Sequence, residues 1–141
     1  YITFSTPTGG SIAAVVQSSA TSVQYATSSD VRLKENIQDT HYGIGDLMKI
    51  QVSDYNYKAD YGSNKQTGYI AQQLYTVFPN AVHTGGDNPK TNPWMVDYGR
   101  ITPLIVKAVQ DQQAIIESQG EKIAAMQAEI EALKQLIKGT K

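Results

Sequence analysis

At 141 residues the chain has room for one compact core plus an extended element, and not for two full-sized cores. Its 12 Lys and Arg against 13 Asp and Glu leave a net charge of -1, so there is no broad electrostatic surface for nucleic acid or membrane, and a protein partner is expected. The lack of cysteine excludes disulfide scaffolds, thiol nucleophiles and cysteine-based zinc sites, and no apolar run approaches the roughly 20 residues of a membrane span.

Residues 1–29 carry no charged side chain. Ile2 and Phe4 alternate with Thr3, Pro7, Gly9 and Gly10 mark a turn, and Ile12 to Gln17 and Val23 to Tyr25 have the composition of strands. This predicts β structure with too little apolar surface to fold alone; the abundant Ser and Thr support a competing reading as flexible linker. The opening Tyr1-Ile2-Thr3-Phe4, without an initiator Met, reads as the continuation of a longer chain.

Residues 30–101 have the composition of a small mixed α+β body, its short elements separated by Gly, Asn and Pro clusters. Ile44 to Ile50 predicts a short helix, and Val52, Tyr55 and Tyr57 a strand broken by the loop Asp60 to Thr67. Ile70, Leu74, Val77 and Phe78 recur at helical spacing until Pro79-Asn80 stops the helix. Ala81 to His83 and Trp94 to Tyr98 read as strands on either side of the loop Thr84 to Pro93.

Residues 102–141 read as one long helix, started by Thr102 as cap and Pro103 at the first helical position. Val109, Ile116, Ile123, Ile130 and Ile137 repeat every seven residues, with Ile105, Gln112, Gln119, Met126 and Leu133 at the companion position. That period predicts a left-handed coiled coil. A helix with one narrow apolar stripe also packs on its own domain. From Pro103 to Ile137, however, it runs about 50 Å and overhangs a body of roughly 70 residues, so partner helices are expected to cover the rest. The seam itself does not fix the number of chains, because Gln112, Gln119 and Met126 depart from the Leu that favours two strands. Gly120 sits inside the helix at a cost of about 1 kcal/mol relative to Ala.

The sharpest local feature is Ser28-Ser29-Asp30-Val31-Arg32-Leu33-Lys34-Glu35-Asn36-Ile37, where the uncharged segment meets the charged body. A cut here separates an elongated assembly from a folded appendage. A serine hydroxyl needs a base to react, and a lysine serves when desolvation or a neighbouring cation lowers its pKa; Arg32 is the candidate cation. The bland alternative is that Ser-Asp caps a helix whose solvated face carries Arg32, Lys34 and Glu35. Spacing alone favours that alternative.

The surrounding sequence resembles the intramolecular chaperones of phage tail proteins, the peptidase S74 type found behind endosialidase tailspikes and L-shaped tail fibres. Ser29-Asp30-Val31-Arg32-Leu33-Lys34-Glu35-Asn36-Ile37 is similar to that family's Ser-Asp-x-Arg-x-Lys-x-Asn-Ile cleavage motif, and Gly68-Tyr69-Ile70-Ala71-Gln72-Gln73-Leu74 to its Gly-aromatic-Ile-Ala-Gln signature, followed by Phe78-Pro79. The run from Asp97 to Gln110 is similar to the segment that opens the family's terminal coiled coil. Two features depart from the pattern: Lys49-Ile50-Gln51-Val52 where a Lys-Pro-aromatic stretch is expected, and Gly120 in the helix.

The resemblance implies an α+β fold in three parts: the end of a β-rich fibre or spike (1–29), a chaperone body (30–101), and a helix of a homotrimeric coiled coil (102–141) with Val109, Ile116, Ile123, Ile130 and Ile137 on its seam. It implies a single-turnover serine endopeptidase that cuts itself between Ser29 and Asp30, with Ser29 and Lys34 as the catalytic pair and Arg32 and Asn36 as supporting motif residues. The implied partners are two further copies and the upstream β-rich region. The fibre part would belong to the virion tail, and the chaperone part would be made and released in the host cytoplasm. Ring size leaves the route open. Ser29 attacking its own carbonyl closes a four-membered ring, and attack on the carbonyl of Ser28 cuts one bond early. Asp30 attacking the Ser29 carbonyl closes a six-membered ring, while a water activated by Lys34, or a serine from another chain, are further routes.

Other candidates carry less. Tyr55, Tyr57, Tyr61 and Tyr69 suggest a carbohydrate platform but are better read as packing in a chain with 9 tyrosines. His41, His83 and Asp87 lack metal-site spacing, and Gly85-Gly86-Asp87 lacks the Lys-Ser/Thr of a phosphate cradle, so neither a metal nor a cofactor is expected. The second function class is a trimeric tip that stays attached and binds a receptor.

Overall fold

Strand-forming Ile, Val, Tyr and Thr in the uncharged segment pair as expected for their composition. The structure, a computed structural model, describes residues 2–5, 11–19 and 22–139. Strands β1 (Ile2–Ser5), β2 (Ser11–Ser19) and β3 (Ser22–Thr27) form an antiparallel sheet in the order β1-β2-β3. Ile2 faces Val15 across the first pair and Val15 faces Tyr25 across the second. The register shifts between Phe4 and Ser5 and again between Gln17 and Ser19. The turn expected at Pro7, Gly9 and Gly10 lies outside the described residues.

The chain divides into two compact units, residues 1–39 and 40–141. In the second, helix α1 (Ile44–Leu47) is followed by the antiparallel hairpin of β4 (Ser53–Asn56) and β5 (Lys65–Gly68). The hairpin differs from the expected strand and open loop, because Lys65, Gln66 and Thr67 are strand without being apolar. Polar cross-strand contacts accompany the backbone ladder. Thr67 Oγ1 donates to Asp54 Oδ1 at 2.6 Å and Lys65 Nζ lies 3.0 Å from Asp54 Oδ2. The turn closes through Gly62 at φ 96° and Ser63 at φ 51°, left-handed conformations in which glycine is strain-free.

Helix α2 (Ala71–Val77) presents buried Leu74, and Phe78 follows it into the core. Strands β6 (Val82–His83) and β7 (Met95–Val96) pair antiparallel around the loop that begins at Thr84. Asp97 continues this pairing by donating its N–H to Ala81 O at 2.8 Å. Its carboxylate then accepts from Gly99 N at 3.0 Å and Arg100 N at 3.3 Å, starting a 3-10 turn that runs into helix α3 (Thr102–Gly139). Asp97 therefore caps the long helical stretch. Thr102, the expected cap, already has helical φ and ψ of -53° and -46°.

The core is Leu74, Phe78, Ala81, Ile101 and Leu104, flanked by Tyr42, Leu47, Ile50, Tyr69, Val82 and Val96. Only the first turns of α3 join it, through Leu104 and Ala108, and every residue from Gln112 to Gly139 is exposed. With 38 residues, α3 is about 57 Å long. The whole is mixed α+β with small sheets and one long terminal helix. Among the described residues no helix is long and apolar enough to cross a membrane.

Candidate functional site

The motif at the junction folds on itself through a single 3-10 turn, Val31–Leu33. Asp30 starts it with extended backbone, and its carboxylate Oδ1 accepts from Arg32 N at 2.9 Å. Leu33 N donates to Asp30 O and Lys34 N to Val31 O, both at 3.1 Å. Lys34 then turns extended, at φ -124° and ψ 145°, and its side chain runs back along the turn. As a result Lys34 Nζ donates to Ser29 Oγ at 2.8 Å. Two residues five apart meet because one tight turn lies between them.

The Arg32 guanidinium closes on the Asp30 carboxylate. Its Nε lies 3.0 Å from both oxygens and Nη2 reaches Oδ2 at 2.5 Å. The Arg32 guanidinium and then its amide hold the Asp30 carboxyl below the ordinary carboxylate range, and Asp30 in turn raises Arg32. Asn36 has φ 52°, a left-handed conformation that Asn tolerates better than most residues and that redirects the chain just after the turn. The capping alternative is thus present along with the Ser-Lys contact: Asp30 is a cap, and Arg32, Lys34 and Glu35 are exposed.

Around these polar groups Val31, Leu33 and Ile37 are 66%, 73% and 68% exposed. Residues on the helix seam, Ile105, Val109, Ile116, Ile123, Met126, Ile130, Leu133 and Ile137, are exposed as well. Where α3 leaves the body, Ile105 and Val109 lie one residue, about 100°, around the helix from Leu104 and Ala108, so the start of the heptad seam is not the face that joins the core.

Sequence reasoning missed a long-range polar clamp. Asp111 on α3 accepts from Ile44 N at 3.0 Å, capping α1 from outside, and is gripped by Lys107 Nζ. Lys107 and then Ile44 hold its carboxyl below the ordinary range. The Lys-Asp spacing of four residues was the only available signal, and it does not point to Ile44.

The tyrosines sit in pairs. Tyr55 and Tyr57 meet edge to face at 5.6 Å, and the rings of Tyr69 and Tyr98 lie 5.3 Å apart, tilted by 35°. A Cβ on Gly68 would stand 2.5 Å from the Tyr98 hydroxyl and 3.4 Å from that of Tyr55, which gives the glycine of the Gly-Tyr-Ile-Ala-Gln run a packing reason. The side chain of Tyr61 lies outside the described residues. His41 stacks on Tyr42 at 4.1 Å, and no cluster of three or more His, Asp or Glu among the described residues is arranged to hold a metal ion.

Comparison with known proteins agrees with the motif. The chain is similar to myelin regulatory factor homolog 1 of Caenorhabditis elegans, 37% identical over 112 residues that cover 72% of this chain and 12% of that protein. The chain therefore spans about an eighth of the length of this curated relative. Residues 29–83, from the serine of the Ser-Lys contact to the end of β6, match the family described as chaperone of endosialidase, peptidase S74.

Proposed function

We propose that this chain is a C-terminal intramolecular chaperone. Three copies join through the seam of α3, the body assists an upstream β-rich fibre or spike to fold, and the Ser29–Asp30 bond is then cut. The observation that carries the reading is the 2.8 Å contact between Lys34 Nζ and Ser29 Oγ at the start of a segment that matches the chaperone-of-endosialidase family. Residues 1–29 remain with the fibre, residues 30–101 are the chaperone body and residues 102–141 the trimerising helix. In a phage this leaves the first part on the virion tail and the rest in the host cytoplasm.

In the single chain the lysine amine is a donor to the serine in an exposed turn. A base must instead take the serine's or a water's proton. Covering Val31, Leu33 and Ile37 with another copy removes water from the motif, and desolvation disfavours the charged form of an amine. Assembly thus switches on the chemistry. The C–N bond between Ser29 and Asp30 breaks, and water supplies oxygen to the Ser29 carbonyl. The products are a carboxylate on Ser29 and a free α-amine on Asp30. The attacking oxygen is that of a water activated by Lys34, or of Ser29 from another copy, in which case water then hydrolyses the ester formed between the two chains; attack by Ser29 on its own carbonyl requires a four-membered ring.

Folding of interwoven β chains is slow and exposes unpaired edges. A helical trimeriser raises local chain concentration, and cutting it away makes unfolding hard to reverse. Mass spectrometry of freshly expressed chain tests this. The expected result is a fragment beginning at Asp30, absent from Ser29→Ala and Lys34→Ala chains that still assemble. An intact wild-type trimer would instead support a static tip.

A further inference from the structure

The proposed cleavage assigns chemistry to Ser29 and Lys34 and leaves open what the Asp30–Arg32 pair beside them does. Asp30 follows the bond to be cut, so its carboxylate stands one residue from the hydroxyl that Lys34 holds. The same turn carries two cations, Arg32 and Lys34, and it is Arg32 that pairs with this anion. Arg32 holds it through four contacts: its amide at 2.9 Å to Oδ1, Nε at 3.0 Å to each oxygen, and Nη2 at 2.5 Å to Oδ2. Lys34 Nζ makes its contact with Ser29 Oγ instead.

We propose that Arg32 is a positioning residue for the cleavage: by occupying the Asp30 carboxylate it keeps that anion from capturing the Lys34 amine and so leaves the amine on the serine hydroxyl. The inference rests on the proposed cleavage at Ser29–Asp30. An amine paired with a carboxylate is held in its charged form and takes no proton. The planar guanidinium fork fits a carboxylate better than a compact ammonium does, so Arg outcompetes Lys for it. The pair is exposed, with Arg32 at 85% and Asp30 at 35%, and such pairs add little to stability. Its effect lies in which partner Lys34 takes. With both Asp30 oxygens engaged, the carboxylate is also withdrawn from attack on the Ser29 carbonyl.

The test is a time course of cleavage by mass spectrometry on the full chain carrying Arg32→Ala, Arg32→Lys, or Arg32→Ala with Asp30→Asn. Arg32→Ala is expected to cut about fivefold more slowly, the range set by an exposed charge pair, and Arg32→Lys to fall between it and wild type. Neutralising Asp30 in the Arg32→Ala background is expected to recover most of the lost rate, because no anion remains to divert the amine. A purely structural role for Arg32 would not be rescued this way. The inference is overturned if Arg32→Ala cuts at the wild-type rate, or if the double variant is as slow as Arg32→Ala or slower. A wild-type chain that never cuts overturns the proposed cleavage itself.

Discussion

Ser29 and Lys34 meet because Asp30 starts a turn of only three residues, so the contact depends on local geometry more than on packing. Asp111 is the opposite case, a single carboxylate that joins α1 to α3 across 67 residues of sequence. Lys107 and the Ile44 amide depress its pKa in the folded chain. A depressed folded-state value gives stability that is complete above the ordinary carboxylate range and is lost as pH falls through the depressed value. Asp111→Asn is therefore expected to lower the melting temperature at neutral pH by a few degrees. It should also flatten the further loss of stability below about pH 4, as circular dichroism melts at several pH values will check. Gly43→Ala tests the same contact, since its Cβ would collide with the Asp111 carboxylate. Neither Asp111 nor Asp97 was legible in the sequence, because a carboxylate that caps a distant or upstream turn leaves no periodic signal. The Ser29-to-Lys34 spacing was legible only with its flanking motif, since the turn that makes five residues a contact distance is invisible in spacing alone.

Elements with an apolar period were legible, and the polar strand β5 was not. α2 and the long α3 follow Leu74 and the heptad, whereas β5 escaped notice because Lys65-Gln66-Thr67 is polar on both faces and pairs through Asp54. The loop after β6 folds tightly: Gly86 N donates to Asn92 O at 3.0 Å, and a Cβ on Gly85 would meet the backbone of Asn92, Pro93 and Trp94. Backbone cannot swing aside as a side chain does, so Gly85→Ala is expected to destabilise the body by about 2 kcal/mol in urea denaturation. Gly120 is the reverse case, with nothing within 4 Å of its Cβ position. Gly120→Ala is expected to stabilise the helix by about 1 kcal/mol, read from its thermal melt.

At the scale of the whole molecule the notable feature is apolar surface left open. The body buries Leu104 and Ala108, while Val109, Ile116, Ile123 and Ile130 stay exposed along a separate face. Each is worth about 1.5–3 kcal/mol if fully covered, and together they supply a drive for the proposed association of three copies. The exposed Val31, Leu33 and Ile37 set the same requirement beside Ser29 and Lys34. The heptad was plain in the sequence; that its face is distinct from the one on the core became visible only once Leu104, Ala108 and Asp111 were placed. In the proposed function assembly precedes cleavage. The rate at which the fragment beginning at Asp30 appears, measured across protein concentrations for wild type and for Ile116→Asp/Ile123→Asp, tests this most directly. The wild-type rate should rise with concentration to a plateau while the double variant, monomeric by sedimentation and with its body folded, stays uncut; a monomeric double variant that cuts at the wild-type rate would contradict the account.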